Sequence, residues 1–182
     1  MSSPIRPRWQ FHDRTPKPLE IAKLRILQKG ADDDATDPFI VEHATKLARA
    51  HKPDDYEAIA NEIHRFVRDG IRYQRDPALK EEFESAGTVL RRGWDDCDGK
   101  SRLAVALALA LGIEAEINPM WRDGYLTHVQ WRVRWPMSQR AKGAQADGWV
   151  VGELTVKGAE LGQDPRTIAK NPETGKFPLS GS

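Results

Sequence analysis

The sequence is short of cysteine, of net charge and of long apolar runs. One cysteine in 182 residues can form neither an internal disulfide nor a multi-cysteine zinc site. Its chemistry is that of a small buried hydrophobe or of a free thiol. The 28 basic and 27 acidic residues leave a formal net charge of +1, which gives no field to draw the chain onto phosphate backbones or anionic lipid. Neither nucleic acid nor membrane is expected as a partner. The longest apolar stretch, Leu103 to Leu111, has about half the length that crosses a bilayer. The opening Met1-Ser2-Ser3-Pro4-Ile5-Arg6-Pro7 has no apolar run behind it, unlike a secretory signal, and predicts a reducing, cytoplasmic setting.

What is present is an ordinary globular composition, 39% hydrophobic and 30% charged, in a chain long enough to bury a core without staples. Residues 1–16, rich in proline and arginine, predict an N-terminal arm. Residues 17–165 predict one domain, and residues 166–182, rich in proline, glycine, lysine and serine, an irregular tail.

Periodicity places the elements. Leu19, Ile21, Leu24 and Leu27 suggest a short helix ended by Gly30, with Ala31-Asp32-Asp33-Asp34 as a solvated acidic loop. Asp37-Pro38 starts a second helix, running to His51. Asp54 or Asp55 caps a third, whose Tyr56, Ile59, Ile63, Phe66 and Val67 form one stripe as far as Gly70. Ile71 to Pro77 reads as extended, followed by a connection to about Arg92. Asp95 and Asp96 then cap a helix from Cys97 to Leu111, with Gly112 ending it. Beyond Gly112 the period changes to two, at Ile113, Ala115 and Ile117, again from Thr127 to Trp135, and in a third segment, 148–154. A polar loop, 138–147, joins the last two segments. His43 and His51 fit surface positions and His64 a structural one. Trp121, Trp131, Trp135 and Trp149 fit core or cleft-wall positions at strand spacing.

One constellation carries chemistry. Cys97 falls in the first turn of a helix, where the dipole favours a thiolate, while Asp95, Asp96 and Asp98 oppose it, so a histidine partner is required. His128 lies in a strand pattern that could aim an imidazole at the helix start. Glu153, on the next strand, could take the other ring N–H and fix the tautomer. The Cys97 N–H is the natural oxyanion donor. Gln74, Trp94 and Tyr73 are candidates for a second.

The stretch Gly93-Trp94-Asp95-Asp96-Cys97-Asp98-Gly99-Lys100-Ser101, with the Ala/Leu helix and Leu111-Gly112-Ile113 after it, resembles the nucleophile helix of the transglutaminase-like (papain-like cysteine) superfamily. Thr127-His128-Val129 resembles its histidine strand, and Gly148-Trp149-Val150-Val151-Gly152-Glu153-Leu154-Thr155 the strand that carries its acid. Val67 to Asp76, with Tyr73 and Asp76 as a Tyr-x-x-Asp motif, resembles the segment before the nucleophile. The likeness runs over residues 37–165. It is strongest to the transglutaminase-like proteins encoded in tailed phages and prophages, on the leading helices and on Thr155-Val156-Lys157-Gly158. Two departures stand out: Glu153 occupies a position usually held by Asp, and Trp94-Asp95 replaces a small, glycine-containing approach.

The resemblance implies an α+β fold with N-terminal helices and the nucleophile at the start of a central helix packed on an antiparallel sheet. It implies a Cys97-His128-Glu153 triad for acyl transfer, by hydrolysis or by transfer to an amine, on a peptide or protein substrate and with neither metal nor organic cofactor. A phage-encoded enzyme would act in the host bacterial cytoplasm or travel in the virion among virion proteins. The alternatives are a non-catalytic structural or assembly protein of a phage particle, and a cell-wall peptidase of another papain-like family.

Overall fold

Helix α5, Cys97–Ala110, is apolar on every face from Leu103 onward, and every side chain from Leu103 to Ala108 is fully buried. A helix with no solvent face must sit in the centre. The computed structural model describes residues 17–75 and 83–163. The expected N-terminal arm, Asp76-Pro77 and the tail from residue 166 lie outside the described residues.

Around α5 lie α1 (Pro18–Asp34), α2 (Pro38–Ala48), α3 (Tyr56–Gly70) and α4 (Ala86–Arg92). The α2 and α3 starts are set by capping carboxylates: Asp37 accepts from the Phe39 N–H at 2.8 Å and Asp55 from the Ala58 N–H at 3.1 Å. Strand β1 (Arg72–Tyr73) pairs in parallel with β2 (Trp94–Asp95), opposing Tyr73 to Asp95. Strands β3 (Glu114–Arg122), β4 (Tyr125–Arg134) and β5 (Val150–Gly152) form an antiparallel sheet in that order. The architecture is the α+β arrangement expected. Among the described residues no helix is long and apolar enough to cross a membrane.

Two expectations fail, each for a packing reason. Gly30 does not end α1, which continues through the supposed acidic loop to Asp34. A Cβ at Gly30 would lie 2.5 Å from the Arg102 guanidinium carbon, so this glycine makes room for a side chain of α5. Asp34 accepts from Arg102 Nε at 2.7 Å and from the Ala86 N–H at 2.8 Å; it anchors two helices instead of facing water. The connection before Arg92 also contains α4. This helix has seven residues, too few to show a period, and its signals are the Ser85 cap on the Thr88 N–H and Gly93 at φ 73°.

Three consecutive polar residues of α5 leave the helix in three directions, about 100° apart, and tie it to its neighbours. Lys100 Nζ donates to the Arg68 and Ile71 carbonyls at the end of α3, Ser101 Oγ to the Val129 carbonyl of β4, and Arg102 to Asp34 of α1. Burial pushes the Lys100 ammonium down to about 8, whereas an unfolded lysine titrates near 10.4. Between those values the unfolded chain holds more protons, so stability should rise with pH across that window. Measured by urea unfolding, wild type should gain on the order of 2–3 kcal/mol over that window relative to Lys100→Met. Equal slopes for the two proteins would show that Lys100 is hydrated.

The faces of the sheet are sorted by alternation. Ala115 opposes Val133, Ile117 opposes Trp131 and Pro119 opposes Val129 on the apolar side. Glu114 opposes Arg134, Glu116 opposes Arg132, Asn118 opposes Gln130 and Met120 opposes His128 on the other. Most of that polar side is buried as well: Glu116, Arg132, Gln130 and His128 are each no more than 6% exposed. The Arg132 and Arg134 guanidiniums stack on Trp149.

Candidate active site

Cys97 is the first residue of α5. Asp96 caps it, its Oδ1 accepting the Asp98 N–H at 2.9 Å and the Gly99 N–H at 3.4 Å. Asp95, which could have shared that duty, turns away to pair with Arg92 at 2.7 Å and accepts the Asp96 N–H at 2.8 Å. A Cβ at residue 99 would sit 2.0 Å from Asp95 Oδ2, so Gly99 is what lets the buried Asp95 carboxylate lie against the helix.

The sheet delivers the other two residues. The Gly162 N–H donates to the Val151 carbonyl at 2.8 Å, so the Val151 main chain faces away from β4. Val150 and Gly152 therefore face β4, opposite Val133 and Trp131. By the two-residue repeat, the Val129 main chain points to the same edge, just past the end of β5. There the first turn of α5 completes the ladder: Ser101 donates to the Val129 carbonyl at 3.3 Å and the Val129 N–H is hydrogen-bonded to the Cys97 thiol. The thiol thereby rests on the peptide that joins His128 to Val129.

His128 Nε2 lies 2.8 Å from Glu153 Oε2. Glu153 is one residue beyond β5, within the segment expected to be strand, and is fully buried. Burial alone would raise its carboxyl, but hydrogen bonds from His128, Thr155 and Gln130 outweigh that and hold it at about 2. An ionised carboxylate only accepts. The proton on this side of the ring is therefore on Nε2, which makes Nδ1 the basic nitrogen of the neutral imidazole. A register shift in the β3–β4 pairing, between Met120 and Trp121, lies beside His128, where a bulge re-aims a side chain.

The thiol itself is half-buried and 3.5 Å from Asp98 Oδ1. Burial and the carboxylates of Asp98 and Asp96 push it well above its ordinary value, against the pull of the Val129 N–H. The resting group is a thiol donating to Asp98, so the helix start alone does not produce a thiolate. Asp96, Cys97 and Asp98 group their ligand atoms within 4.8 Å and are the described residues best placed to hold an ion. Asp96 Oδ1, however, already accepts the two N–H groups of the helix cap.

The remaining candidates separate clearly. Tyr73 lies near enough to Cys97 and Asp96 to feel their charge, and burial raises its phenol. Gln74 is exposed with its side chain on Arg72, and Trp94 lies under the Arg92 guanidinium. Of the three proposed oxyanion donors, Tyr73 is the one whose phenol feels the charge of Cys97, and it also bonds Arg75. His64 is structural: its Nδ1 accepts from Trp131 Nε1 at 3.2 Å, its Nε2 lies 2.8 Å from the Ala159 carbonyl, and burial holds it down at about 4. His43 binds its own helix at the Phe39 carbonyl, and His51 lies beside Glu62. A cavity of about 650 Å³ opens at the far end of the β3–β4 pair, beside Glu114, Arg134, Trp135 and Met137, away from the thiol. Gln130 and Thr155 were missed in the sequence. Their one signal is spacing, each standing two residues after a candidate site residue, His128 or Glu153.

Against known families, a model of the transglutaminase-like superfamily matches residues 43–153, a span that contains Cys97 and His128 and ends on Glu153. The chain belongs to the transglutaminase-like superfamily. No curated protein matches it. Among solved structures, a "putative protease" from Parabacteroides distasonis is similar over 74% of this chain and 30% of its own, at 12% identity and a TM-score of 0.46.

Proposed function

We propose that this transglutaminase-like protein is a cysteine-dependent acyl-transfer enzyme with Cys97 as nucleophile, His128 as base and Glu153 as the acid that orients it. The observation that carries the reading is the His128–Glu153 hydrogen bond of 2.8 Å, made by the ring nitrogen that a base does not need, beside a thiol seated on the next peptide. Cys97 Sγ attacks a peptide or carboxamide carbonyl while His128 Nδ1 takes the thiol proton. The imidazolium then returns that proton to the leaving amine, and water or an amine resolves the thioester. The first N–H of α5, that of Cys97, faces the developing oxyanion. Because the thiol rests protonated, its activation falls to His128. A phage or prophage origin, with peptide or virion-protein substrates, is part of this proposal and rests on the sequence resemblance.

Alkylation of Cys97 by iodoacetamide across pH tests the pairing. His128→Ala should slow the neutral-pH reaction by about 10²-fold, the lower range for loss of a general base, and leave the alkaline reaction unchanged. His43→Ala should change neither. Equal neutral rates in wild type and both variants would overturn the triad.

A further inference from the structure

Glu153 accepts from four donors. Oε1 takes the Thr155 N–H at 2.7 Å and the Thr155 hydroxyl at 2.6 Å. Oε2 takes His128 Nε2 at 2.8 Å and Gln130 Nε2 at 3.0 Å. Gln130 is itself held, its Oε1 accepting from Asn118 Nδ2 at 3.1 Å across the β3–β4 pair, so its amide can present only its N–H to the carboxylate. We propose that Gln130 and Thr155 are positioning residues, which lock the Glu153 carboxylate in one rotation so that a single oxygen faces His128. The inference rests on the catalytic reading of the site.

The physical case begins with capacity. A carboxylate has about four acceptor sites, and all are used, so apart from the half-turn that exchanges its two equivalent oxygens no rotation about its last bond keeps more than part of the set. The imidazole inherits that fixity, because its Nε2–H has a single target and its plane follows the carboxylate. The arrangement also accounts for glutamate at this position. Thr155 is only two residues along the chain and pulls Oε1 back toward the Glu153 main chain, while His128 lies across the sheet on β4. A side chain one methylene shorter could satisfy one end or the other. Neither Gln130 nor Thr155 would touch the substrate; they act through Glu153.

The test uses the full chain and the His128-dependent part of Cys97 alkylation, defined as the neutral-pH rate that His128→Ala removes. Thr155→Val keeps the shape and the N–H but loses the hydroxyl, and Gln130→Met loses the amide. Each should lower the His128-dependent rate by about 3- to 10-fold, the effect of one net hydrogen bond, with the alkaline rate unchanged. Thr155→Ser, which keeps the hydroxyl, should restore it. A full His128-dependent rate in both Thr155→Val and Gln130→Met overturns the inference and leaves the triad standing. So does an equal loss at all pH values that Thr155→Ser shares, because that is the mark of a folding role. If His128→Ala itself has no effect, the triad reading fails and this inference with it. Should Thr155→Val not fold, Gln130→Met remains. Ring ¹⁵N shifts in wild type give a second measurement: neutral His128 must carry its proton on Nε2, and a proton on Nδ1 overturns the arrangement.

Discussion

Glu153→Gln is expected to lower turnover by about 10³–10⁴-fold while the chain still folds, the scale of loss for the same acid-to-amide change in a Ser-His-Asp triad. The reason is donor and acceptor arithmetic. Four donors converge on the carboxylate: the Thr155 N–H and hydroxyl, Gln130 Nε2 and His128 Nε2. An amide offers one oxygen to them and turns an NH₂ on the rest. If that NH₂ faces His128, the imidazole can satisfy it only by making Nε2 an acceptor, which moves its proton to Nδ1. A ring protonated on Nδ1 cannot take the proton of Cys97, so the loss belongs to the chemical step and not to binding. Wild-type Glu153 stays ionised down to about 2, so the wild-type protein should lose no activity to protonation of Glu153 anywhere in the neutral range. At least one buried donor also loses its acceptor, so a stability loss of about 1–3 kcal/mol should accompany the change. Glu153→Asp keeps the charge, but its shorter side chain cannot span from Thr155 to His128, so activity should fall there as well. Turnover on an amide or peptide substrate found by screening, with thermal melts alongside, separates the two losses. Full activity in Glu153→Gln would remove Glu153 from the mechanism.

What could be read in the sequence follows from how each signal is encoded. The helix start at Cys97 is local, with Asp96 as cap, an unbroken Ala/Leu run behind it and Gly112 at the end. The His128 strand is equally local, a ten-residue alternation in β4. Both were legible because their cause lies within a few residues. Gly30 misled because a glycine in the last turn usually ends a helix, and here the reason for it is Arg102, 72 positions away and packed against it. The acidic run 31–34 misled for the same reason, since Asp34 is claimed by Arg102 and Ala86. Asp95 and Asp96 could not be told apart as caps from sequence; Arg92 settles it by pairing with Asp95. The residues around Glu153 stayed hidden because Gln130 and Thr155 are ordinary strand and turn residues until the sheet brings them to one carboxylate. Asp98 was legible as an opposing charge. That it lies within reach of the thiol proton was not.

Gly152→Ala is expected to cost about 3–5 kcal/mol and to remove the His128-dependent reactivity of Cys97 at a distance, although residue 152 touches neither side chain of the proposed pair. A Cβ there would lie 2.1 Å from Trp131 Nε1 and 2.8 Å from His64 Nδ1. Both atoms are buried, and they are bonded to each other at 3.2 Å. Flexible surface groups would swing aside, but these cannot. Trp131 is fully buried between β4 and α3, and His64 is held at its other nitrogen by the Ala159 carbonyl. Overpacking costs about 1–3 kcal/mol and an orphaned buried hydrogen bond about 1–3 more. The easier movement is that of β5 itself, whose pairing with β4 spans only Trp131 to Val133. Displacing Gly152 outward carries its neighbour Glu153 away from His128, so the thermal melt and the alkylation profile should worsen together. Trp131→Phe in the Gly152→Ala background removes the indole edge that the new methyl strikes. It should recover part of the lost His128-dependent reactivity, even though Trp131→Phe alone is destabilising. If Gly152→Ala melts like wild type and keeps its neutral-pH reactivity, the close packing of Trp131 and His64 on β5 does not position Glu153.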